Sequence, residues 1–360
     1  MAAAELPIPG FSNAQLLAGR VIVYLDQNLW SRLAAARHAH RPVAPNEAAA
    51  AHRLSELVDQ GRVVLPVSSS HFLETVRHRG PGRLPLASTL LELCRGWQMR
   101  HPGVIGRSEL GDAVHDRPRI TSADVFTLES NATFLTRVEP SPPRFPEPMG
   151  SVVRHLSAVS GTYDALIDES AMADEGAEIR TRWAAAHDQL VNMMIADNIS
   201  TAEKAIKIAL GRLLVDLAHQ SLQHPDPEID LATFQTWLPQ AEHAIADMPY
   251  LGRLWRLTFA RLRNGARWQP NDLADIHFLA AAAGYANVVA GEKRTISDLS
   301  SAKGIVTGAK LAKSLSEAVA AVDQVLAAPA TPQGLDGATI RTISENTTTL
   351  KVEQSGCGED

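Results

Sequence analysis

The sequence predicts an α/β fold built on a parallel sheet, and three observations carry that prediction. Residues 21–25 (VIVYL) and 63–67 (VVLPV) are unbroken apolar runs, the mark of strands buried on both faces. Between them, residues 47–60 (EAAAAHRLSELVDQ) place Ala51, Leu54, Leu57 and Val58 at helical spacing, and Gly61 stands where a C-cap would close the helix. Far along the chain, WQPNDLADIHFLAAAAGYANVVAGEK repeats the theme, with a helix starting near Pro270 or Asn271 and a short buried strand over residues 287–290. Strand, helix and strand make a β-α-β unit, which carries its ligand chemistry at the carboxyl ends of its strands.

The remaining elements follow in order. From residue 101 turn residues cluster through HPGVIGRSELGD and again through RVEPSPPRFPEPMG, whose five prolines exclude a regular helix or central strand. Residues 151–222 then read as long alanine-rich helices, with a break at HPDPEID and more helix around LATFQTWLPQAEHAIADM. Residues 304–307 (GIVT) offer one more strand and LAKSLSEAVAAVDQVL a closing helix. The expected organisation is a first part of the sheet domain at 1–100, a helical insertion or lid at 101–262, a second part at 263–327, and a flexible tail at 328–360, rich in Thr, Gly and Ser.

Composition narrows the function classes. The 360 residues suffice for an ample core, so no disulfide scaffold is needed, and Cys94 and Cys357 form neither a metal knuckle nor a redox pair. Two thiols so far apart suit a reducing compartment, and the N-terminal stretch lacks the basic and apolar regions of a secretory signal, so a cytoplasmic location is expected. No apolar run approaches the roughly 20 residues of a membrane crossing, so no membrane partner is expected. With 34 basic and 40 acidic residues the net charge is -6, and any contact with nucleic acid must therefore be local. Gly-rich phosphate loops of the GxxxxGK[ST] and GxGxxG kinds are absent, as is a GxSxG elbow.

Acidic residues supply the candidate chemistry. Asp26 follows VIVYL directly, at a strand's carboxyl end, where it serves equally well as a functional carboxylate or a helix N-cap. Glu74 sits in VSSSHFLETVRH, projecting from the first turn of a helix capped by Ser69 or Ser70, and the β-α-β geometry brings it near Asp26. Asp272 and Asp275, three apart in NDLAD, share one helix face. Asp272 doubles as a capping residue, whereas Asp275 opens an apolar stretch and needs a partner there. Glu292 follows the strand NVVA. Five acids at one sheet edge repel one another unless cations sit among them, and carboxylate ligands without histidine or thiolate favour Mg²⁺ or Mn²⁺. Such ions activate water and hold a phosphodiester, which points to phosphodiester hydrolysis.

YLDQNLW, VSSSHFLET and NDLADIHFLAAAAGYANVVAGEK, taken in that order, resemble the acidic motifs of PIN and PIN-like nuclease domains over roughly residues 20–80 and 265–325. The resemblance implies a three-layer α/β/α fold and metal-dependent endonuclease activity on single strands, usually RNA. It places metal-binding and catalytic roles on Asp26, Glu74, Asp275 and Glu292, with Asp272 as an additional ligand. Glu292 departs from the family, which commonly has Asp in a Thr-x-Asp-like setting where this chain reads AGEK. The alternative from that departure is a catalytically impaired PIN-fold protein that binds RNA or a partner. A homo-oligomer or an inhibitor protein stays open as a partner. A phosphatase using Asp26 as nucleophile ranks third, because Asn28 occupies the place of its usual second aspartate.

Weaker candidates complete the reading. His71, Glu74 and His78 fall at helical spacings, but their order matches no zincin motif. His277 packs or caps locally, and Lys293 and Arg294 offer charge for a phosphate. The stretch from Tyr250 to Trp268 alternates arginines with Trp255, Phe259 and Trp268 and could guide an RNA strand. The favoured reading is an amphipathic helix with Leu254, Leu257 and Leu262 buried and its arginines solvated.

Overall fold

Strand β1 (Val21–Leu25) runs through the middle of a parallel sheet, flanked by β2 (Val63–Val64) on one side and β5 (Val288–Ala290) then β6 (Lys310–Ala312) on the other. The computed structural model describes residues 12–78, 80–129, 177–197, 202–223, 231–270, 272–301 and 308–328, with a few isolated residues between 132 and 166 and at 229. Register is set by Val21 against Val63 and by Val23, Tyr24 and Leu25 against Val288, Val289 and Ala290. Asn287 completes the ladder with its side chain, whose Oδ1 accepts the Ile22 N–H at 2.8 Å.

All five β1 residues are buried because each sheet face carries its own core. Val21, Val23 and Leu25 pack with α2 (Gln27–His38), α3 (Pro45–Asp59), α5 (Arg83–Cys94) and α15 (Leu315–Ala327). Ile22 and Tyr24 point the other way, into a core shared with α6 (Pro102–Val114), α8 (Ala177–Ala196), α9 (Ala202–Gln223), α12 (Leu251–Arg263) and α13 (Asp272–Tyr285). This alternation is the period of two that sends successive strand side chains to opposite faces. The fold is thus α/β with a central four-stranded parallel sheet and helices over both faces.

The shorter elements are α1 (Asn13–Leu17), α4 (Ser69–Arg77), α7 (Ser122–Val125), α10 (Leu231–Trp237), α11 (Ala241–Ala246) and α14 (Lys293–Ser301). A second, antiparallel pair joins β3 (Gln98–Met99) to β4 (Phe126–Thr127), and Val67 bridges to Gln98, so the chain after β2 leads directly into this pair. No helix among the described residues is long and apolar enough to cross a membrane.

Several elements differ from expectation. HPGVIGRSELGD is not a run of turns but most of α6, started by Pro102 at its first position and capped by His101. Its Gly106 serves packing: a Cβ there would lie 3.2 Å from Leu251 Cδ2 and 3.3 Å from Tyr250. Gly284, next to last in α13, allows a close approach, since a Cβ there would meet the Pro249 backbone at 2.9 Å. The described part of the segment read as an insertion or lid shares one hydrophobic core with Tyr24 and Val289. Most of the proline-rich stretch, the GIVT strand and the tail beyond Ala328 lie outside the described residues, and β6 stands just beyond GIVT.

Candidate active site

Two strand ends and two helices, α4 and α13, set the site. Asp26 leaves β1 and caps α2, accepting the Gln27 N–H at 2.8 Å on Oδ1, so the capping reading holds. Its own N–H donates to Ala290 O of the neighbouring strand at 2.8 Å, which fixes the carboxylate beside the turn that carries Glu292. A Cβ on Gly291 would sit 3.3 Å from Asp26 Cβ, so glycine lets that turn come close.

Glu74 lies on the second turn of α4, not the first. The cap is Ser68, and the chain enters the helix one residue earlier than Ser69 would allow. The Ser70 hydroxyl donates to Glu74 Oε1 at 2.9 Å. His71 completes the capping box, with Nδ1 accepting the Ser68 N–H at 3.0 Å and Nε2 donating to the Leu25 carbonyl at 2.8 Å. A carbonyl only accepts, so the proton sits on Nε2 and the ring is neutral. Burial agrees with this, pushing the imidazole down to about 4. With both nitrogens committed, and its ring packed 5.1 Å from Tyr24 and 6.1 Å from Trp30, His71 is no zinc ligand. Its work is to hold the residue before Asp26. Gln27 adds a second tie across the same gap, its Nε2 donating to Thr75 Oγ1 at 2.9 Å.

Asp272 and Asp275 both fall in the first turn of α13 but have different surroundings. Asp272 Oδ2 accepts from Arg261 Nη1 at 2.7 Å and from the Gln269 N–H at 3.0 Å. Among the described residues, the charges that act on Asp275 are carboxylates. Burial raises its carboxyl to about 8, with Asp26, Glu74, Asp272 and Glu292 adding to the rise in that order. Burial also pushes Glu74 up to about 7, opposed by the Ser70 hydroxyl and reinforced by Asp26. Asp26 rises to about 6 through burial, despite the Gln27 N–H, with Glu292 contributing further. The structure therefore brings Asp26, Glu74, Asp275 and Glu292 within electrostatic reach of one another at the carboxyl edge of the sheet.

Glu292 is exposed and takes a hydrogen bond from the Asn28 side-chain amide. Asn28, noted in the sequence only as a missing aspartate, thus orients the fourth acid. As donors, these oxygens suit a hard cation such as Mg²⁺ or Mn²⁺. Among the described residues, however, no three Asp, Glu, His or Cys side chains are placed to share one metal ion.

The basic, aromatic stretch turns out mostly internal. Leu254, Leu257 and Leu262 are buried as expected, but so are Arg253 and Arg261, which were expected in solvent. Trp255 and Trp268 are buried too and cannot stack bases. Arg261 is stacked over Trp268 at 4.4 Å, and Trp255 Nε1 donates to Ile206 O at 3.0 Å. His277 is likewise absorbed locally, its Nδ1 sharing a 2.7 Å hydrogen bond with the Tyr250 hydroxyl. Lys293 and Arg294 are exposed beside Glu292.

Sequence reasoning passed over His71 as anything but a weak metal candidate, and it did not single out Glu109 or Asp298. Each acts through partners far away in the chain, so local spacing holds no signal for it. Comparison with protein-family models, with curated proteins and with solved structures found no match to this chain.

Proposed function

We propose that the protein is a PIN-like, divalent-metal-dependent endonuclease that hydrolyses phosphodiester bonds in single-stranded RNA. The observation that carries this reading is the convergence of Asp26, Glu74 and Asp275 beside Glu292, each of the first three raised out of the ordinary carboxylate range by burial first and then by at least one acidic neighbour. Buried carboxylates crowded together are costly without a cation, and carboxyl ends of parallel strands are where open α/β sheets place their chemistry. Helices over both faces of a parallel sheet suit a three-layer PIN-like arrangement.

Asp26, Glu74 and Asp275, which in the metal-free chain are not placed to share one ion, would have to draw together to hold Mg²⁺ or Mn²⁺, with Glu292 beside them and Asp272 behind. When bound, such an ion supplies an activated water and neutralises charge on the phosphate. The chain's own residues prepare the place. His71 and Gln27 fix the end of β1, and Ser70 orients Glu74. Lys293 and Arg294 stand exposed next to Glu292, available to a substrate phosphate. Few cysteines and a buried Cys94 thiol suit a cytoplasmic setting.

A second reading, a PIN-fold protein that binds RNA or a partner without cutting, draws on two observations. Glu292 is engaged by Asn28, and among the described residues no three acids are placed to share one ion. Cleavage of labelled single-stranded RNA and DNA in Mn²⁺, Mg²⁺ or EDTA, comparing the natural protein with Asp26→Asn and Asp275→Asn, separates the two. Metal-dependent cleavage lost in both variants supports the nuclease; RNA binding without cleavage in any metal selects the binding protein.

A further inference from the structure

Three helices meet at one buried guanidinium. Arg261, 5% exposed on α12, donates from Nη1 to Asp272 Oδ2 at 2.7 Å on α13. Its Nε and Nη2 donate to Asp298 Oδ2 at 3.2 and 3.0 Å on α14. One face of the guanidinium lies over the Trp268 ring at 4.4 Å, which leaves it a single orientation. A planar fork reaching two carboxylates in different directions is geometry that arginine provides and lysine does not. The two carboxylates belong to the helices that carry the site. Asp272 shares the first turn of α13 with Asp275, and α14 begins directly after Glu292.

We infer that Arg261, through Asp272 and Asp298, is the positioning residue that sets Asp275 and Glu292 at their places on the sheet edge. This inference rests on the nuclease reading above. It assigns Asp272 a structural anchor's role, since its Oδ2 is already shared by Arg261 and the Gln269 N–H, with Arg294 approaching to 3.9 Å. Asp298 is the informative member, because it lies six residues beyond Glu292 and none of its hydrogen bonds is to a candidate ligand. The knot also ties the chain before the NDLAD motif to the chain after AGEK, so the two motifs keep one relative placement.

The test measures kcat and KM for RNA cleavage in Mn²⁺, Mn²⁺ binding by calorimetry, and Tm, for Asp298→Asn, Asp272→Asn, Arg261→Lys and Arg261→Gln. Asp298→Asn is expected to lower kcat about tenfold at unchanged KM and within the folded temperature range, since small misplacements of reacting groups are expensive. Arg261→Lys recovers part of what Arg261→Gln loses, and Asp272→Asn keeps the Mn²⁺ stoichiometry of the natural protein. Unchanged kcat in both Asp298→Asn and Arg261→Lys overturns the inference while leaving the nuclease standing. Loss of Mn²⁺ binding in Asp272→Asn overturns it as well, by making Asp272 a ligand. A natural protein that never cleaves in Mn²⁺ removes the nuclease reading and this inference together.

Discussion

Two groups of carboxylates sit at opposite ends of α13, and they are solved differently. Glu109, near its C-terminal end, is 5% exposed and surrounded by donors: the N–H groups of Tyr250 and Leu251 at 2.7 and 2.8 Å and the Tyr285 hydroxyl. Asp275, in its first turn, has other carboxylates for electrostatic company. Burial pushes both up, Glu109 to about 7 and Asp275 to about 8, so displacement from the ordinary range does not by itself distinguish them. The surroundings do. Glu109 satisfies the free amides at the start of α12, as a capping group should. The acids around Asp275 repel one another and would gain from a cation, as the proposed metal site requires.

The contrast can be broken first at the acids themselves. Asp26→Asn and Asp275→Asn are each expected to lower metal-dependent RNA cleavage on the order of a thousandfold, a loss typical of removing one preorganised electrostatic group. Both variants should unfold in EDTA no more easily than the natural protein, because repulsion is relieved. Lower stability of both in EDTA would mean that these carboxylates are structural like Glu109.

The opposite behaviour is expected at Glu109. Glu109→Leu leaves two amides and a hydroxyl without their acceptor in the core and should cost about 3 kcal/mol in urea unfolding. Metal has no part in that loss, so Mn²⁺ should not change its size.

Protonation sharpens the comparison further. Asp275 has an ordinary value of 3.8 and a folded value of about 8, so between those limits the folded chain holds a proton that the unfolded chain has released. Metal-free stability therefore falls as pH rises from about 4 to about 8, on the order of 2 kcal/mol for this group. Asp275→Asn flattens that slope, and Mn²⁺ reverses it, whereas the Glu109 contribution over the same range survives both. A slope untouched by the substitution would place the coupling elsewhere.

The smallest effect is expected at Asn28. Removing the amide that holds Glu292 should change Mn²⁺ affinity about threefold and stability by less than about 1 kcal/mol, since the contact is exposed. A large gain in activity from Asn28→Ala would show that the hydrogen bond holds Glu292 back.

Local pattern by itself determined much of this molecule. The apolar runs at residues 21–25 and 288–290 became parallel neighbours, because a strand with no polar face has to be covered on both sides. The helix of residues 45–59 ends at Gln60, and Gly61 follows at φ +68, as the position of that glycine announced. The acids after the strands were legible for the same reason, since a strand's carboxyl end is a place defined along the chain. What only the tertiary structure decided depends on distance in space. Pattern alone reads Gly106 as a turn, yet it is a helix residue against which Tyr250 and Leu251 pack so closely that a Cβ there would be tight. Arginines of the Tyr250–Trp268 stretch read as solvated, yet Arg261 is interior because Asp272 and Asp298 converge on it from two other helices. Equal carboxylates at Glu109 and Asp275 look alike in a sequence and differ only by whether donors or other acids surround them.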